Sequence, residues 1–295
     1  MNKTSTMTTN LLKALKNIVE NPSNNLVAQY RSLNPKNAMG EALEFYIKDV
    51  FCDSLSEEDI SKKEILHAEY LSYLGNQNNP PDFMIKNGDA VEVKKHEEKE
   101  QIRANASGIL ALNSSYPKDY LYPNSPRLNG GCKNCETWSK KDNLYVVGGI
   151  KGGKIKSLWF VYGNCYAASR ETYEKINDAI ASGVNTLPDI EFGTTEELAR
   201  VNKVDPLGIT DLRVRGMWQI KHPSVVFSYI PETIIDADFK INAIMLTSKY
   251  DSFPKEDQNN LEELISKSLL IKDIRIKSPN NPAKFLDAKL IRFLK

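Results

Sequence analysis

Two acidic residues and a lysine in the segment NNPPDFMIKNGDAVEVKKH, residues 78–96, have types and spacing that suit phosphate chemistry. Asp82 follows a pair of prolines, and Glu92 precedes Lys94 by two positions. Two neighbouring carboxylates repel each other unless a cation lies between them, and their hard oxygens suit Mg²⁺. A lysine beside such an ion can hold or activate a water, or neutralise charge that builds up on a phosphate. The three residues therefore indicate metal-dependent hydrolysis, provided that one element brings them together.

The segment predicts a β-hairpin that could do so. One strand is expected at residues 82–86 and the next at residues 89–95, with Asn87 and Gly88 in the turn. A loop of these two residues alone would mix apolar and charged side chains on both faces of the hairpin. Hydrophobic patterning therefore disfavours the shorter loop.

A three-residue loop at residues 86–88, with Gly88 supplying a positive φ, gives a better pattern. It pairs Asp82 with Glu92 and places both on the face that carries Lys94. The other face then holds the apolar side chains Phe83, Ile85, Val91 and Val93. We therefore predict this register, although an ordinary edge hairpin with a solvated charged face would show the same residues.

The rest of the chain supplies elements that could position the hairpin. Helices are expected at residues 10–20, 38–51 and 169–182, the last with Tyr173, Ile176, Ala179 and Ile180 turned inward. Strands are expected at residues 67–74, 143–150, 156–162, 212–218, 224–229, 241–247 and 271–276. With 295 residues, 41% of them hydrophobic and 26% charged, the chain is ordinary globular material. We expect a single α/β domain with a mixed central sheet flanked by helices.

Several motifs carry a resemblance to known nucleases. Pro81-Asp82, nine residues and then Glu92-x-Lys94 form the signature of the PD-(D/E)xK nucleases. The run GEALE at residues 40–44 resembles the glycine-then-glutamate helix that precedes these strands in many restriction endonucleases. More specifically, the chain is similar to the NgoPII-type family of restriction enzymes between residues 38 and 229. The segments that carry this similarity are GEALEFYIKDVF, YLGNQNNPPDFMIKNGDAVEVKK, ALNSS and DPLGITDLRVRGMW.

The resemblance implies a Mg²⁺-dependent type II endonuclease that cuts double-stranded DNA at GGCC and leaves 5′-phosphates. Asp82 and Glu92 would bind the metal, and Lys94 would position or activate the attacking water. Glu44 occupies the position of the helix acid and would assist at the metal, whereas without the resemblance it reads as a solvated helix acid. A palindromic target calls for a C2 homodimer on DNA.

Candidate DNA contacts follow two segments. Alternation in residues 212–218 places Arg213 and Arg215 on one face, where each guanidinium could read guanine or hold a phosphate. Surface arginines bridged to Asp205 or Asp211 are the simpler alternative. The short polar groups that suit phosphate or base-edge hydrogen bonds are Arg103, Asn113, Ser114 and Ser115, for which loop capping is the alternative.

Charge, cysteines and hydropathy limit the remaining classes. The net charge is only +1, but the C-terminal residues 267–295 carry eight lysines and arginines against two aspartates. This basic segment could follow a DNA backbone or could simply be solvated. The glycine-lysine tip at residues 151–154 lacks a following GK[ST], so no nucleotide cofactor is expected. No signal peptide or membrane span is apparent, which predicts a cytoplasmic protein.

The pair Cys132 and Cys135 could be half of a zinc site, but no other ligands have the required spacing, so free thiols are expected. The domain core is placed at about residues 38–182, with recognition and C-terminal elements at about 183–295. Two alternatives to a restriction enzyme remain open at this point. One is a repair or structure-specific nuclease of the same superfamily, and the other is a non-catalytic DNA-binding protein.

Overall fold

A computed structural model describes residues 8–30, 38–75, 80–98, 108–125, 135–186, 191–193 and 197–295. Its helices are α1 Leu11–Glu20, α2 Leu26–Gln29, α3 Ala38–Phe51, α4 Ile60–Tyr70, α5 Gly163–Tyr166, α6 Arg170–Val184, α7 Pro223–Val226, α8 Thr247–Ser252 and α9 Lys255–Glu262. Its strands are β1 Leu71–Tyr73, β2 Phe83–Ile85, β3 Ala90–Glu97, β4 Ile109–Asn113, β5 Tyr120–Leu121, β6 Lys141–Lys151, β7 Lys154–Tyr162, β8 Glu191–Phe192, β9 Ala199–Asn202, β10 Leu212–Val214, β11 Trp218–Lys221, β12 Lys240–Leu246, β13 Leu269–Ser278 and β14 Asn281–Leu294.

A mixed central sheet organises these elements, as the sequence predicts. Its strand order is β1-β2-β3-β6-β7-β12-β14-β13, and β5 pairs with β6 off this path. The β3–β6 and β7–β12 pairs are parallel, and the other neighbours on the path are antiparallel. Two smaller sheets, β10-β9-β8 and β11-β4, lie beside it. The fold is thus α/β, with helices packed on a mixed sheet.

The apolar stripes of α1 and α3 form much of the core. Helix α1 begins at Asn10, whose side chain accepts hydrogen bonds from the backbone of the first turn. Its Leu11, Leu15 and Ile18 are buried in the same cluster as Leu43 of α3 and the sheet residues. Helix α3 contacts β3 directly. Burial of these stripes therefore fixes α3 beside the hairpin.

The β2–β3 hairpin has the predicted register. Phe83 pairs with Val91 and Met84 with Ala90, and the Asp82 N–H donates to the Val91 carbonyl at 3.0 Å. Phe83, Ile85 and Val91 lie in the main core, whereas Met84 and Ala90 belong to a separate small cluster. The loop of residues 86–88 therefore sorts the two faces as the apolar pattern requires.

The turn residue with positive φ is Asn87, at 53°, and the prediction that Gly88 has this role was wrong. Asparagine tolerates the left-handed region better than most residues with a side chain. Gly88 is needed for a different reason, because a Cβ there would lie 2.8 Å from Ile85 Cγ2. Close approach to the core, not backbone conformation, accounts for this glycine.

Several other predictions need correction. Residues 67–70 are the end of α4, so only the last part of the strand predicted at 67–74 exists, as β1. Residues 224–229 form the short helix α7 and a turn, because Pro223 and the His222 side chain cap a helix there. Helix α6 has no buried residue, and Ile176 and Ile180 are exposed, so its predicted inward face was wrong.

The basic C-terminal segment lies mostly in the sheet. Strand β14 is paired on both sides, with β12 and β13, and so extends the central sheet. The strands β12 and β13 lie close to where the sequence predicts them. In the described part of the chain, no helix has the length and apolar character needed to cross a bilayer.

Candidate active site

The β2–β3 hairpin brings Asp82, Glu92 and Lys94 together. Lys94 Nζ lies 2.5 Å from Glu92 Oε1, so the two residues at either end of the ExK motif form an ion pair. The Val93 N–H donates to Asp82 Oδ2 at 2.6 Å, which holds the aspartate against β3 between these two residues. Residues that are ten and twelve positions from Asp82 in sequence therefore share one small surface.

The electrostatics of the three groups are coupled. Burial, and then the charge of Glu92, raise the pKa of Asp82 well above its usual value, while Lys94 opposes this change. Burial works to lower the pKa of Lys94, but the charges of Glu92 and Asp82 overcome it and the pKa is raised. Each group therefore senses the other two, as expected where like charges need a cation to balance them.

One carboxylate oxygen at this site is left without a partner. Glu92 Oε2 is buried and has no hydrogen-bond partner among the described residues. A buried acceptor without a donor costs free energy, so such an atom calls for a ligand. Two hard carboxylates with an unused oxygen suit a divalent cation. No larger set of three or more histidine, cysteine, aspartate or glutamate ligands occurs in the described residues.

Glu44 lies on α3, where Lys48 holds it. Lys48 Nζ donates to Glu44 Oε1 at 2.7 Å and to the Leu74 carbonyl at 2.9 Å. The charge of Glu44 contributes to raising the pKa of both Asp82 and Lys94. Glu44 is thus an electrostatic neighbour of the site that is already paired with a lysine.

A cleft extends from this site along the β4–β11 sheet. A small cavity next to Glu92 adjoins a larger one of about 180 Å³, and both are lined by Ser115, Tyr116 and Lys118. The larger cavity is also lined by Arg215, Glu197 and other residues around Trp218. Glu92 of the hairpin and Ser114, Ser115 and Arg215 of the predicted DNA-contacting segments therefore line two cavities that share three side chains.

Lys118 is a residue of this cleft that the sequence did not single out. Its ammonium donates to Ser115 Oγ and lies 5.2 Å from the centre of the Tyr116 ring. Its backbone N–H donates to Tyr145 Oη, beside Glu92 on the neighbouring strand. It follows a proline in a turn-rich stretch, and no motif connects it with the hairpin, so spacing alone gave no signal.

The predicted polar contacts divide into three cases. Ser114 and Ser115 line the cleft. Asn113 ends β4, is exposed and has a φ of 52°, so it reads as a turn residue next to the cleft. Arg103 lies outside the described residues.

Arg213 and Arg215 are both engaged by Glu197, not by Asp205 or Asp211. Arg213 Nε and Nη2 donate to the two oxygens of Glu197 at 2.9 and 2.8 Å, and Arg215 Nε lies 2.5 Å from Glu197 Oε1. Asp211 pairs with Arg200 instead. Only residues 212–214 of the predicted strand are β10, and Arg215 lies just beyond it.

A buried cluster around Asp49 and a disulfide-bonded cysteine lie outside the candidate site. Asp49 is buried and accepts hydrogen bonds from Tyr30, Ser54 and Lys63, and its Oδ1 lies 2.8 Å from His67 Nε2. His67 is thus a buried partner of Asp49. Cys135 is disulfide-bonded, so the expectation of a free thiol there was wrong, while Cys132 lies outside the described residues.

Comparisons with known proteins agree with the resemblance seen in the sequence. The family model of the NgoPII restriction endonuclease matches residues 9–277. The chain is 42% identical over 288 residues to the type II restriction enzyme NgoPII of Neisseria gonorrhoeae, which covers 96% of this chain and 99% of the relative. No solved structure matches this chain.

Proposed function

Because this chain belongs to the NgoPII restriction endonuclease family and is a type II restriction enzyme, we propose that it cuts both strands of DNA at GGCC with the help of Mg²⁺. The proposed fold class is the PD-(D/E)xK restriction-endonuclease-like core, with the β2–β3 hairpin as its catalytic element. The family favours this activity over a repair nuclease or a non-catalytic DNA-binding protein. The target sequence rests on family resemblance and not on any contact in the fold.

The observation that best supports the catalytic assignment is the convergence of Asp82, Glu92 and Lys94 at the end of the cleft. Asp82 and Glu92 would hold the metal, because Glu92 Oε2 is buried without a donor among the described residues, and burial together with the charge of Glu92 raises the pKa of Asp82. When bound, Mg²⁺ supplies Lewis-acid charge next to the scissile phosphate.

We assign to Lys94 the role of positioning the attacking water. Its ammonium lies 2.5 Å from Glu92 Oε1, beside the carboxylates that would hold the metal. It would orient that water and neutralise charge in the transition state, since the raised pKa of Lys94 keeps its ammonium protonated. Glu44 assists at the metal from α3, with Lys48 limiting its movement.

The reaction is an in-line displacement at phosphorus. The water oxygen forms a bond to phosphorus as the bond to the 3′ oxygen breaks; the water gives up one proton to solvent, and the 3′ oxygen takes up one proton to become a hydroxyl. The products carry a 5′-phosphate and a 3′-hydroxyl. The described groups bind, orient and compensate charge, and the chain forms no covalent bond to the DNA.

Recognition is assigned to the other end of the cleft. Ser114, Ser115, Arg213 and Arg215, with Asn113 and Arg103, would contact bases or phosphates there. A fork-shaped guanidinium suits the O6 and N7 acceptors of guanine, so two arginines would serve a target made only of G·C pairs. We assign the specific contacts to Arg213 and Arg215.

A palindromic target suggests two copies of the chain related by the two-fold axis of the duplex. Each copy would place one β2–β3 hairpin at one strand. Light scattering of the protein bound to a short GGCC duplex tests this homodimer. One chain per duplex at saturation would contradict it.

The activity is tested by digesting a sequenced plasmid with and without Mg²⁺ and sequencing the fragment ends. We expect discrete bands that depend on the metal, with every end at GGCC and a 5′-phosphate that ligase can join. A smear, or cutting only at junctions, would instead support the repair nuclease. Binding without cutting in any divalent metal would support the non-catalytic alternative.

A further inference from the structure

The geometry points to Glu197 as the residue that positions Arg213 and Arg215 for base recognition. This inference rests on the proposed function, because it takes the two arginines to be base-reading residues. Glu197 is separated from the arginines by a β-hairpin, and no motif in the sequence marks it. Its role follows from the way in which one carboxylate holds two guanidinium groups.

Glu197 contacts both arginines through short, directed bonds. It accepts from Nε and Nη2 of Arg213, one bond to each carboxylate oxygen, which is the bidentate arrangement that fixes a guanidinium plane. Its Oε1 also contacts Arg215 Nε at 2.5 Å. Two long side chains that would otherwise sample many rotamers are therefore held by a single anchor.

The burial of the three side chains shows which of them faces solvent. The Glu197 side chain is only 8% exposed, whereas those of Arg213 and Arg215 are 59% and 47% exposed. The carboxylate thus lies beneath the guanidinium groups and is covered by them. A hydrogen bond from Arg213, with the charges of both arginines, lowers the pKa of Glu197, so it is ionised at neutral pH.

The bonds that Glu197 accepts leave the outer edge of each guanidinium available. An arginine has five N–H donors, and the contact to Glu197 uses only the Nε and Nη2 edge of Arg213. The remaining donors at the Nη1 end form a fork of the kind that pairs with guanine O6 and N7. Arg215 contacts Glu197 through Nε, and its side chain remains 47% exposed.

The anchor also changes the charge of this surface. Two guanidinium groups and one carboxylate together carry a single positive charge, so the cluster attracts phosphates less than two free arginines would. Non-specific binding to DNA depends mainly on phosphate neutralisation. Glu197 therefore weakens attraction to the backbone while it keeps the forks in place, and both effects favour the correct bases.

Glu197 lies in the same cleft as the catalytic site. It lines the larger cavity together with Arg215, Ser115 and Lys118, and the last two also line the cavity beside Glu92. Arg215 and the proposed catalytic residue Glu92 are thus connected through the same cleft-lining side chains. The other arginine pair on this hairpin, Arg200 with Asp211, does not line that cavity.

The test compares Glu197→Gln with the wild-type enzyme on the preferred site and on sites with one changed base pair. We expect the ratio of kcat/KM between correct and changed sites to fall by about 10-fold or more, since misplaced forks no longer discriminate bases. Binding to unrelated DNA should become tighter, and its dependence on log salt should steepen by about 0.9, as one more phosphate is neutralised. An unchanged ratio would overturn the proposal.

Asp287→Asn serves as the matched control. Asp287 pairs with Arg275, and both side chains are largely exposed outside the cleft, so the variant removes the same charge from an arginine pair elsewhere. We expect it to leave the discrimination ratio unchanged. An equal fall in both variants would show a general charge effect and would overturn the role of Glu197.

A second variant covers the case in which Glu197→Gln does not fold. Glu197→Asp keeps the charge but withdraws the carboxylate by one methylene group, so it should lower the discrimination ratio without changing the salt dependence. If discrimination stays at the wild-type level, positioning is refuted. The proposed catalytic site is tested separately, because these variants should all still cut the preferred DNA in the presence of Mg²⁺.

Discussion

At the scale of single residues, three side chains make up the proposed catalytic centre. Asp82 and Glu92 supply carboxylates and Lys94 a charge, and Glu92 Oε2 is the buried oxygen of the three groups that lacks a partner among the described residues. The signature spacing predicted these three because a hairpin connects residues close in sequence. Lys118 and Glu197 could not be predicted, because separate turns and sheets bring them to the cleft.

His222 gives a prediction for stability that is independent of DNA cleavage. Burial, with smaller contributions from the charges of His96 and Lys240, lowers its pKa to about 4. Its Nδ1 accepts from the Ser224 N–H at 3.1 Å and so caps α7. The folded protein therefore keeps a neutral imidazole where the unfolded chain, with an ordinary histidine pKa near 6.5, takes up a proton.

The sign follows from this difference in proton uptake. Stability from His222 is complete above about pH 6.5 and is lost as the pH falls towards about 4. Between pH 7 and pH 5, the free energy of unfolding should fall by about 2 kcal/mol from this residue. His222→Asn keeps a side-chain cap without a titrating ring, so it should lose about 2 kcal/mol less. Urea unfolding at both pH values measures this, and equal losses in the two proteins would contradict the assignment.

At the scale of elements, helix α3, which carries Glu44, is positioned by its packing on the central sheet. Gly148 of β6 allows this approach, since a Cβ there would lie 2.6 Å from Leu43 Cδ2. Gly148→Ala should therefore destabilise the protein by about 1 to 3 kcal/mol through overpacking. The added Cβ would meet the end of the Leu43 side chain, so Leu43 or α3 must move away from β6, and a shift of α3 would slow cleavage.

Gly183→Ala is the control for this prediction. Gly183 lies in α6, where an added Cβ meets nothing within 4 Å. Alanine should therefore stabilise that helix by about 0.5 to 1 kcal/mol. Thermal unfolding distinguishes the two variants, and a Gly148→Ala protein as stable as the wild type would show that the helix is not so closely packed.

Elements with a single clear apolar periodicity could be predicted from the sequence, whereas elements whose structure depends on packing against other elements could not. Helices α1 and α3 and the β6–β7 hairpin lie where apolar periodicity placed them. The local pattern of residues 67–74 favoured a strand, but residues 67–70 form the end of α4. Tertiary packing therefore overrode the local pattern there. The place of β14 between two strands depends on long-range pairing, which no local pattern reports.

At the scale of the whole molecule, neighbouring cavities connect the proposed catalytic hairpin to the proposed recognition residues. The hairpin lies towards one end of the central sheet, and the β4–β11 sheet leads from it to the arginine cluster. The net charge of +1 does not reveal this organisation, because the relevant charges are local. The chain is a restriction enzyme by its family membership, and we propose that the cleft is where it binds and cuts DNA.

The most direct test of the catalytic assignment is single-turnover cleavage by Lys94→Ala, with Lys95→Ala as its neighbour control. Lys95 projects from the opposite face of β3 and is exposed. Its Nζ lies 3.2 Å from Glu97 Oε1, so it pairs with Glu97 and not with the candidate site. Lys94→Ala should lower the cleavage rate of a GGCC duplex by about 100-fold or more while binding it within a few-fold of wild type. Lys95→Ala should cut at close to the wild-type rate, whereas cleavage by Lys94→Ala at that rate would contradict the account.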